Sequence, residues 1–489
     1  MSNLSELLPT GGGQNAVDFV ASGTLANGQT VALKTDGTVE AVAATATVIG
    51  TAQQFEAANT VDTSSAYDTN SNKVVIVYTD AGNSNYPTAI VASVSGTTLT
   101  FGSPVVWQSA TASKYDANFD PDNNKIVVFY QTQLGGVDNS GTGIVGTVSG
   151  TGISFGTPTS WMTKSNNAWS SAYDTTANKF VGHYYDNGNS NHLYGVVATV
   201  SGTSISFGTP VVVRATVYHY DGGTVYDSNA NKIIYAYGDQ NDNKGYAGIG
   251  TVSGTSISYT TAQEFTASCI YSTLTYDPIS YKTLLTFTSA SNQAQVKTIV
   301  VTNNSSSLTF GTEATAFTST GGNVRPGRQL YEPSAPNIVL SYVEMTSNNA
   351  FFRSGSISGT SFTFSGSTDL GVDTDSFGMA NSISYNSDLV NFTFPFRDQD
   401  ASNYGKALVF SVGASNNTSF IGITSEAIAN TATGAVNVFG GINTVQTGLT
   451  IASDYYVQGN GTLSTASASP AIKVGQALSA TTINMKDLT

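Results

Sequence analysis

Cysteine is nearly absent. Cys269 is the only one in 489 residues, which excludes an internal disulfide framework and any multi-cysteine metal site. Charge is scarce as well, at 10% of residues where about a quarter is usual. Scarce charge with little hydrophobicity would mean disorder, but 40% of the chain is hydrophobic, with 25 Tyr and 23 Phe, enough to bury a large core. Basic residues are few: 18 Lys and Arg stand against 32 Asp and Glu, for a net charge of −14. That balance denies the chain the basic stripe of a nucleic-acid binder, so no nucleic-acid partner is expected. No apolar run approaches the ~18 residues of a membrane-spanning helix, so no membrane insertion is expected. The N-terminal MSNLSELLPTGGG lacks a basic segment followed by an apolar one, so no signal peptide is expected. Histidine is limited to His183, His192 and His219. No HxH or HExxH spacing joins them, so neither a metal site nor a cofactor is expected.

What the chain does have is repetition. A first marker joins an aromatic-acidic pair, a polar turn and Asn-Lys to an apolar run. It reads YDTNSNKVVIVY from Tyr67, FDPDNNKIVVFY from Phe119, YDTTANKFVGHY from Tyr173 and YDSNANKIIYAY from Tyr226. Looser copies start at Tyr276, Tyr331 and Tyr385, so that the anchor aromatics step by 52, 54, 53, 50, 55 and 54 residues. A second marker keeps the same phase: VSGTTLTFGSP from Val94, VSGTGISFGTP from Val148, VSGTSISFGTP from Val200 and VSGTSISYTTA from Val252, with degenerate forms from Val301 and Ile357.

Each repeat of about 52 residues holds four β-like stretches, the pattern of a propeller blade. In the first copy strand a ends at Tyr67-Asp68, b is 73–78, c is 88–94 and d is 98–107. Asx residues turn the chain between a and b, and Ser-Gly-Thr makes a tight hairpin between c and d. The seventh copy lacks a strand d. Its substitute lies upstream, where TATVIGTAQQFEA (45–57) matches SISYTTAQEFTA (256–267). The expected fold is therefore all-β: a seven-bladed β-propeller over 45–414, closed by 45–57, inserted in a small discontinuous β-domain made of 1–44 and 415–489. Hairpin signals at Asn27-Gly28 and Asp36-Gly37 fit that small domain, and an insertion with neighbouring ends is easy to accommodate.

The segments ASGTLANGQTVALKTDGTVEAV, FIGITSEAIANTATGAVNVFGGIN, GLTIASDYYVQGNGTLST and KVGQALSA resemble the small β-domain of virion-associated, tail-fibre-like proteins of tailed bacteriophages. Propeller repeats of this kind are also seen inserted in such proteins. The resemblance implies a virion structural protein, made in the host cytoplasm and carried on the particle. It would be a tail fibre or adhesion component that presents a propeller face to a host surface glycan. The alternatives are a capsid decoration or head-fibre protein and a polysaccharide-cleaving spike enzyme. The implied partners are other virion proteins, reached through the small domain, and homotrimer formation there is one arrangement left open.

A search for chemistry yields little. The five arginines, Arg214, Arg325, Arg328, Arg353 and Arg397, do not recur at one blade position, and no Asp box is present. The repeated Asp68, Asp120, Asp174, Asp227 and Asp277 read as turn residues. Cys269 reads as a buried small residue. No catalytic residue is assigned and the chain is expected not to be an enzyme. The b–c loops, such as YDNGNSNHL (185–193), offer oxygen ligands that suit calcium, against the plainer reading of Asx-rich turns. Uniform a–b and c–d turns read as scaffold, whereas the d–a and b–c connections vary and read as the working face. That face would carry Trp107, Trp161, Trp169, Tyr218 and Tyr220 on the d–a segments, with Tyr86, Tyr194, Tyr246 and Tyr404 on the b–c loops. Aromatic rings beside amides and carboxylates suit sugars; the competing reading packs these rings between blades.

Overall fold

The computed structural model describes residues 15–486 apart from 135–136, 163–165, 187–190, 216–221, 334–336, 375–382, 401, 414 and 467–471, and the side chains of 133–134, 137–139, 166–169 and 418 are likewise outside the description. The chain divides into two units, Val48–Ser411 and a second formed by Met1–Thr47 with Val412–Thr489.

The larger unit is a seven-bladed propeller. Blade two shows the plan: strand a (Ala112–Asp120) pairs with b (Lys125–Leu134), b with c (Val137–Ser149), and c with both halves of a broken d (Gly152–Phe155 and Thr159–Ser160). The ring closes through a strand shared by its first and last blades. One long strand, Gln53–Asp68, serves two blades. Its first part pairs with strand c of blade seven, Tyr404–Ser411, and its second with strand b of blade one, Lys73–Asp80.

The b strands explain the apolar runs. In Lys73–Asp80 every residue from Val74 to Thr79 is buried. Val75 and Val77 pack against Ile126 and Val128 of blade two, while Val74, Ile76 and Tyr78 pack against Ala407 and Val409 of blade seven. Both faces are covered, so the run needs no polar alternation. Each buried aliphatic side chain contributes about 1.5–3 kcal/mol relative to exposure.

The two sequence markers are two ways of joining neighbouring blades. At the a–b turn, Asp68, Asp120, Asp174, Asp227 and Asp277 each accept backbone N–H bonds from the residues two and three positions on. The anchor tyrosine then reaches the preceding blade's turn. Tyr173 donates to Asp122, Tyr385 to Glu332 at 3.0 Å, and Tyr67 to Asp388 of blade seven at 2.9 Å across the closure. At the break in strand d, Gly102, Gly156 and Gly208 lie so close to Thr151, Thr203 and Thr255 in the next blade's c–d turn that a Cβ would collide with those carbonyl oxygens. The glycine exists for that close approach. Thr260 and Ser365 make the same backbone bond to their strand c, yet carry side chains. The blades that follow them lack a Ser-Gly-Thr turn.

The smaller unit holds two five-stranded sheets. In the first, Thr30–Leu33 pairs with Phe420–Thr424 and Ala16–Val20 with Thr433–Val438, so the two ends of the chain build one sheet. The second takes its strands from 442–484. Residues of both sheets, among them Ala32, Ile423, Val457 and Val474, share a core.

Candidate functional site

Inner strands of adjacent blades do not pair through their backbones, so side chains must join them. Ser64 accepts from the Ala117 N–H at 3.1 Å, Asp116 accepts from the Ser171 N–H and hydroxyl at 2.9 and 2.6 Å, and Thr275 donates to the Gln329 carbonyl at 2.7 Å. These bonds leave the propeller axis open as a cavity of about 460 Å³, lined from the inner strands of blades one to six.

The d–a end of this channel, its mouth, is irregular. In blade one Asp62 and Thr63 together stand opposite Tyr78, and in blade two Lys114 and Tyr115 stand opposite Tyr130. Blade three is bulged between Asn167 and Trp169, and blade six between Pro326 and Gln329. A bulge re-aims a side chain and bends its strand. Asp62 and Lys114 occupy equivalent places, five residues before Tyr67 and Phe119, and both have left-handed backbones, φ 49° and 57°. Such a φ is uncommon outside glycine, Asn and Asp. The Lys114 backbone N–H donates to the Asp62 carboxylate at 3.4 Å, which ties the two bulges together.

Charged groups line the channel in two tiers. Near the mouth lie Asp62, Lys114 and Arg325, with the Arg325 guanidinium 5.0 Å from the centre of the Tyr271 ring. Four residues before the ends of their strands lie Asp116 and Arg328. Arg328 reaches from blade six toward the carbonyls of Ser65 and Ala117, at 3.4 and 3.5 Å. Burial raises the Asp116 carboxyl above the usual carboxylate range, opposed by the Arg328 charge and the bonds from Ser171. Burial likewise lowers Arg328, and Asp116 opposes it. Among the described residues, three cations against two carboxylates line this channel in a chain of net charge −14.

The described residues among the aromatics singled out in the sequence are not in the lining of this channel. Trp107 packs against the rings of Tyr115, Tyr130 and Phe155, and Trp161 against Phe129, Tyr184 and Phe207. Both indoles are thus taken up in packing between blades. Tyr194 stacks on Tyr184, and Tyr246 stacks on Tyr237 with the Arg214 guanidinium over the Tyr246 ring at 4.0 Å. Tyr86 and Tyr404 begin strands c of blades one and seven. Tyr218 and Tyr220 lie outside the described residues, as does the side chain of Trp169, whose backbone is in the bulged strand of blade three.

Other sequence candidates have structural places. His183 is buried, hydrogen-bonded to Thr224 at 2.8 Å and close to the Tyr235 ring. His192 neighbours Tyr194 in strand c of blade three, and His219 lies outside the described residues. Cys269 is fully buried, and burial pushes its thiol upward. Among the described residues no group of three His, Cys, Asp or Glu is placed to hold a metal ion, and no helix is long and apolar enough to cross a membrane. Asp62, Lys114, Asp116, Tyr271, Arg325 and Arg328 were not among the sequence candidates. For Asp62, Lys114, Tyr271 and Arg325 the signal was a repeat column five or six residues before the anchor aromatic, where charge changes from copy to copy, while Asp116 and Arg328 stand three residues before theirs.

No protein-family model and no curated protein matches the chain. Among solved structures, it is similar to the NanB sialidase of Streptococcus pneumoniae at 11% identity and TM-score 0.43, over 74% of this chain and 70% of that one. It is similar to a periplasmic gluconolactonase of Pseudomonas aeruginosa at 11% identity and TM-score 0.43, over 72% and 96%. AofleA from Arthrobotrys oligospora matches at 8% identity and TM-score 0.39, over 70% and 92%. The expectation that the chain is not an enzyme needs correction. Two of these similar structures are enzymes, so the lack of a catalytic motif in the sequence is no ground for excluding catalysis. At such identities the likeness concerns the fold alone.

Proposed function

We propose that the propeller takes a small, hydroxyl-rich ligand of carbohydrate type into the mouth of its central channel. The observation that carries this reading is the set of bulged inner strands, whose charged residues line one cavity. Strained backbone at a cavity costs stability that a purely structural channel has no use for. The lining includes the hydroxyl residues Ser170 and Thr273 and several tyrosines, a set suited to sugar hydroxyls.

The resemblance of the terminal segments to tailed-phage virion proteins supports a place for this binding on a particle, as an adhesion component facing a host glycan. Immunogold labelling of particles tests that place: label at the tail tip or on fibres supports it, and label spread over the head favours a decoration protein.

The channel itself is tested by glycan-array binding of the full chain beside two variants. Thr273→Trp fills the channel; Tyr404→Ala removes a ring from the b–c face. Binding lost only in Thr273→Trp supports the channel. Binding lost only in Tyr404→Ala overturns it in favour of the loop face. Assay of the same samples for released sugar reads whether the bound ligand is also turned over.

A further inference from the structure

We propose that Asp116 and Arg328 form a clamp for a vicinal diol in the lower tier of the channel, so that the ligand is a neutral ring polyol or sugar read through two neighbouring hydroxyls. This rests on the channel reading above and names the group recognised there.

Arg328 has donors to spare. A guanidinium carries five N–H groups. Both hydrogen bonds of this one leave from Nη1, to the carbonyls of Ser65 and Ala117, and at 3.4 and 3.5 Å they are long, against about 2.7–3.2 Å for a well-made bond. Nε and Nη2 have no partner among the described residues. The residue lines the cavity and keeps part of its surface open, although the protein encloses it enough for burial to lower its pKa. Donors left unpaired in such surroundings cost stability unless a ligand meets them. Nε–H and Nη2–H also lie side by side on one edge of the planar group, the fork that meets two oxygens at once.

Asp116 supplies the complement. Its carboxylate accepts from the Ser171 N–H at 2.9 Å and hydroxyl at 2.6 Å, and both bonds end on Oδ2. The neighbouring Asn118 amide donates instead to the Ser171 hydroxyl and to the Asp116 main-chain carbonyl, which leaves Oδ1 open as an acceptor. The carboxylate and the guanidinium are near enough for each to oppose the other's pKa shift, yet no ion pair joins them among the described residues. Opposite charges that line one cavity without meeting leave a gap that suits a hydroxyl, which accepts from one and donates to the other. A diol does both in full: its two oxygens accept from the fork and one of its hydrogens goes to Oδ1. An anionic group fits this place less well, because Asp116 already answers the Arg328 charge.

The test is calorimetric titration of the full chain with myo-inositol and with cis-1,3,5-cyclohexanetriol. Both are neutral cyclohexane rings, but the hydroxyls of the first are neighbours and those of the second are isolated. Myo-inositol is expected to bind at least about tenfold tighter, the effect of one hydrogen bond to a charged group. Arg328→Lys keeps a cation near Asp116 but lacks the fork, and is expected to remove that preference while leaving the triol unchanged. Labelling the arginine Nε atoms with nitrogen-15 gives a reading without substitution: inositol is expected to shift one of the five signals. Equal binding of the two rings overturns the diol clamp while leaving the channel reading standing. So does binding of neither ring by a chain that still binds on the glycan array. A preference that survives Arg328→Lys, or inositol binding that moves no arginine signal, overturns the role of Arg328. The channel reading fails separately, by array binding lost only in Tyr404→Ala.

Discussion

The two ends of the propeller's inner strands obey different rules. At the turn end, five blades place an aromatic residue and Asp in the same two positions, and the Asp caps the turn in the same way each time. At the mouth end the equivalent depth carries Asp62, Lys114, Tyr271 and Arg325, four different chemistries, and the strands of blades one, two, three and six are bulged. Uniformity follows where each blade must fit the next, since one joint repeated round the ring tolerates one solution. Variation follows where side chains face a cavity and no neighbour dictates their shape. The difference separates a turn end that joins blades from a mouth end that faces a cavity within a single strand.

Five substitutions would break or sharpen that contrast. The largest effect is expected between the two ends, at Arg328→Ala. Removing the guanidinium leaves the buried Asp116 carboxylate uncompensated, at a cost of about 3 kcal/mol near neutral pH. Burial raises Asp116 in the folded chain above its unfolded value, so the folded state takes up that proton first as pH falls. The penalty is present above the folded value and is relieved on acidification. Urea unfolding at pH 7 and pH 5 should show the deficit shrinking; an equal deficit at both would argue against a charge effect.

Next comes Gly208→Ala. The new Cβ meets the Thr255 carbonyl of the next blade, and overpacking of this kind costs about 2 kcal/mol. Ser365→Ala at the equivalent joint of blade six should stay within about 0.5 kcal/mol, because no Ser-Gly-Thr turn faces it. Similar losses at both sites would disprove the joint. At the turn end, Asp174→Ala removes the acceptor for the Thr176 and Ala177 N–H groups, and denaturant midpoints should report a loss of about 1 kcal/mol. At the mouth end the sign should reverse. Lys114→Asn relieves a left-handed lysine, and thermal unfolding is expected to show a gain of up to about 1 kcal/mol. A loss there would mean that Lys114 is structural and would erase the distinction between the ends.

Much of the fold could be read without coordinates. The apolar b runs require two covered faces, and Asp-x-x-x-Asn turns recur at a fixed period. The missing strand d of blade seven was traceable because residues 45–57 match the d strand of blade four. The paired exceptions at Thr260 and Ser365 were present in the sequence too, but they acquire meaning only when the next blade's c–d turn is seen beside them. The site was read less well. Rings such as Trp107 and Trp161 suit sugars in isolation, yet in the ring of blades they fill the gaps that neighbouring sheets leave.

By itself the sequence determined what local chemistry and period can determine: all-β structure, blade length, turn positions, the closing segment, and a core of continuous apolar runs. Tertiary structure alone decided which charges meet. Lys114 and Arg325 are separated by more than two hundred residues and by four blades of chain, and nothing in either local segment refers to the other. They share a cavity because ring closure gathers the inner strands of the blades round one axis, and because the bulge of blade two places Lys114 in its lining.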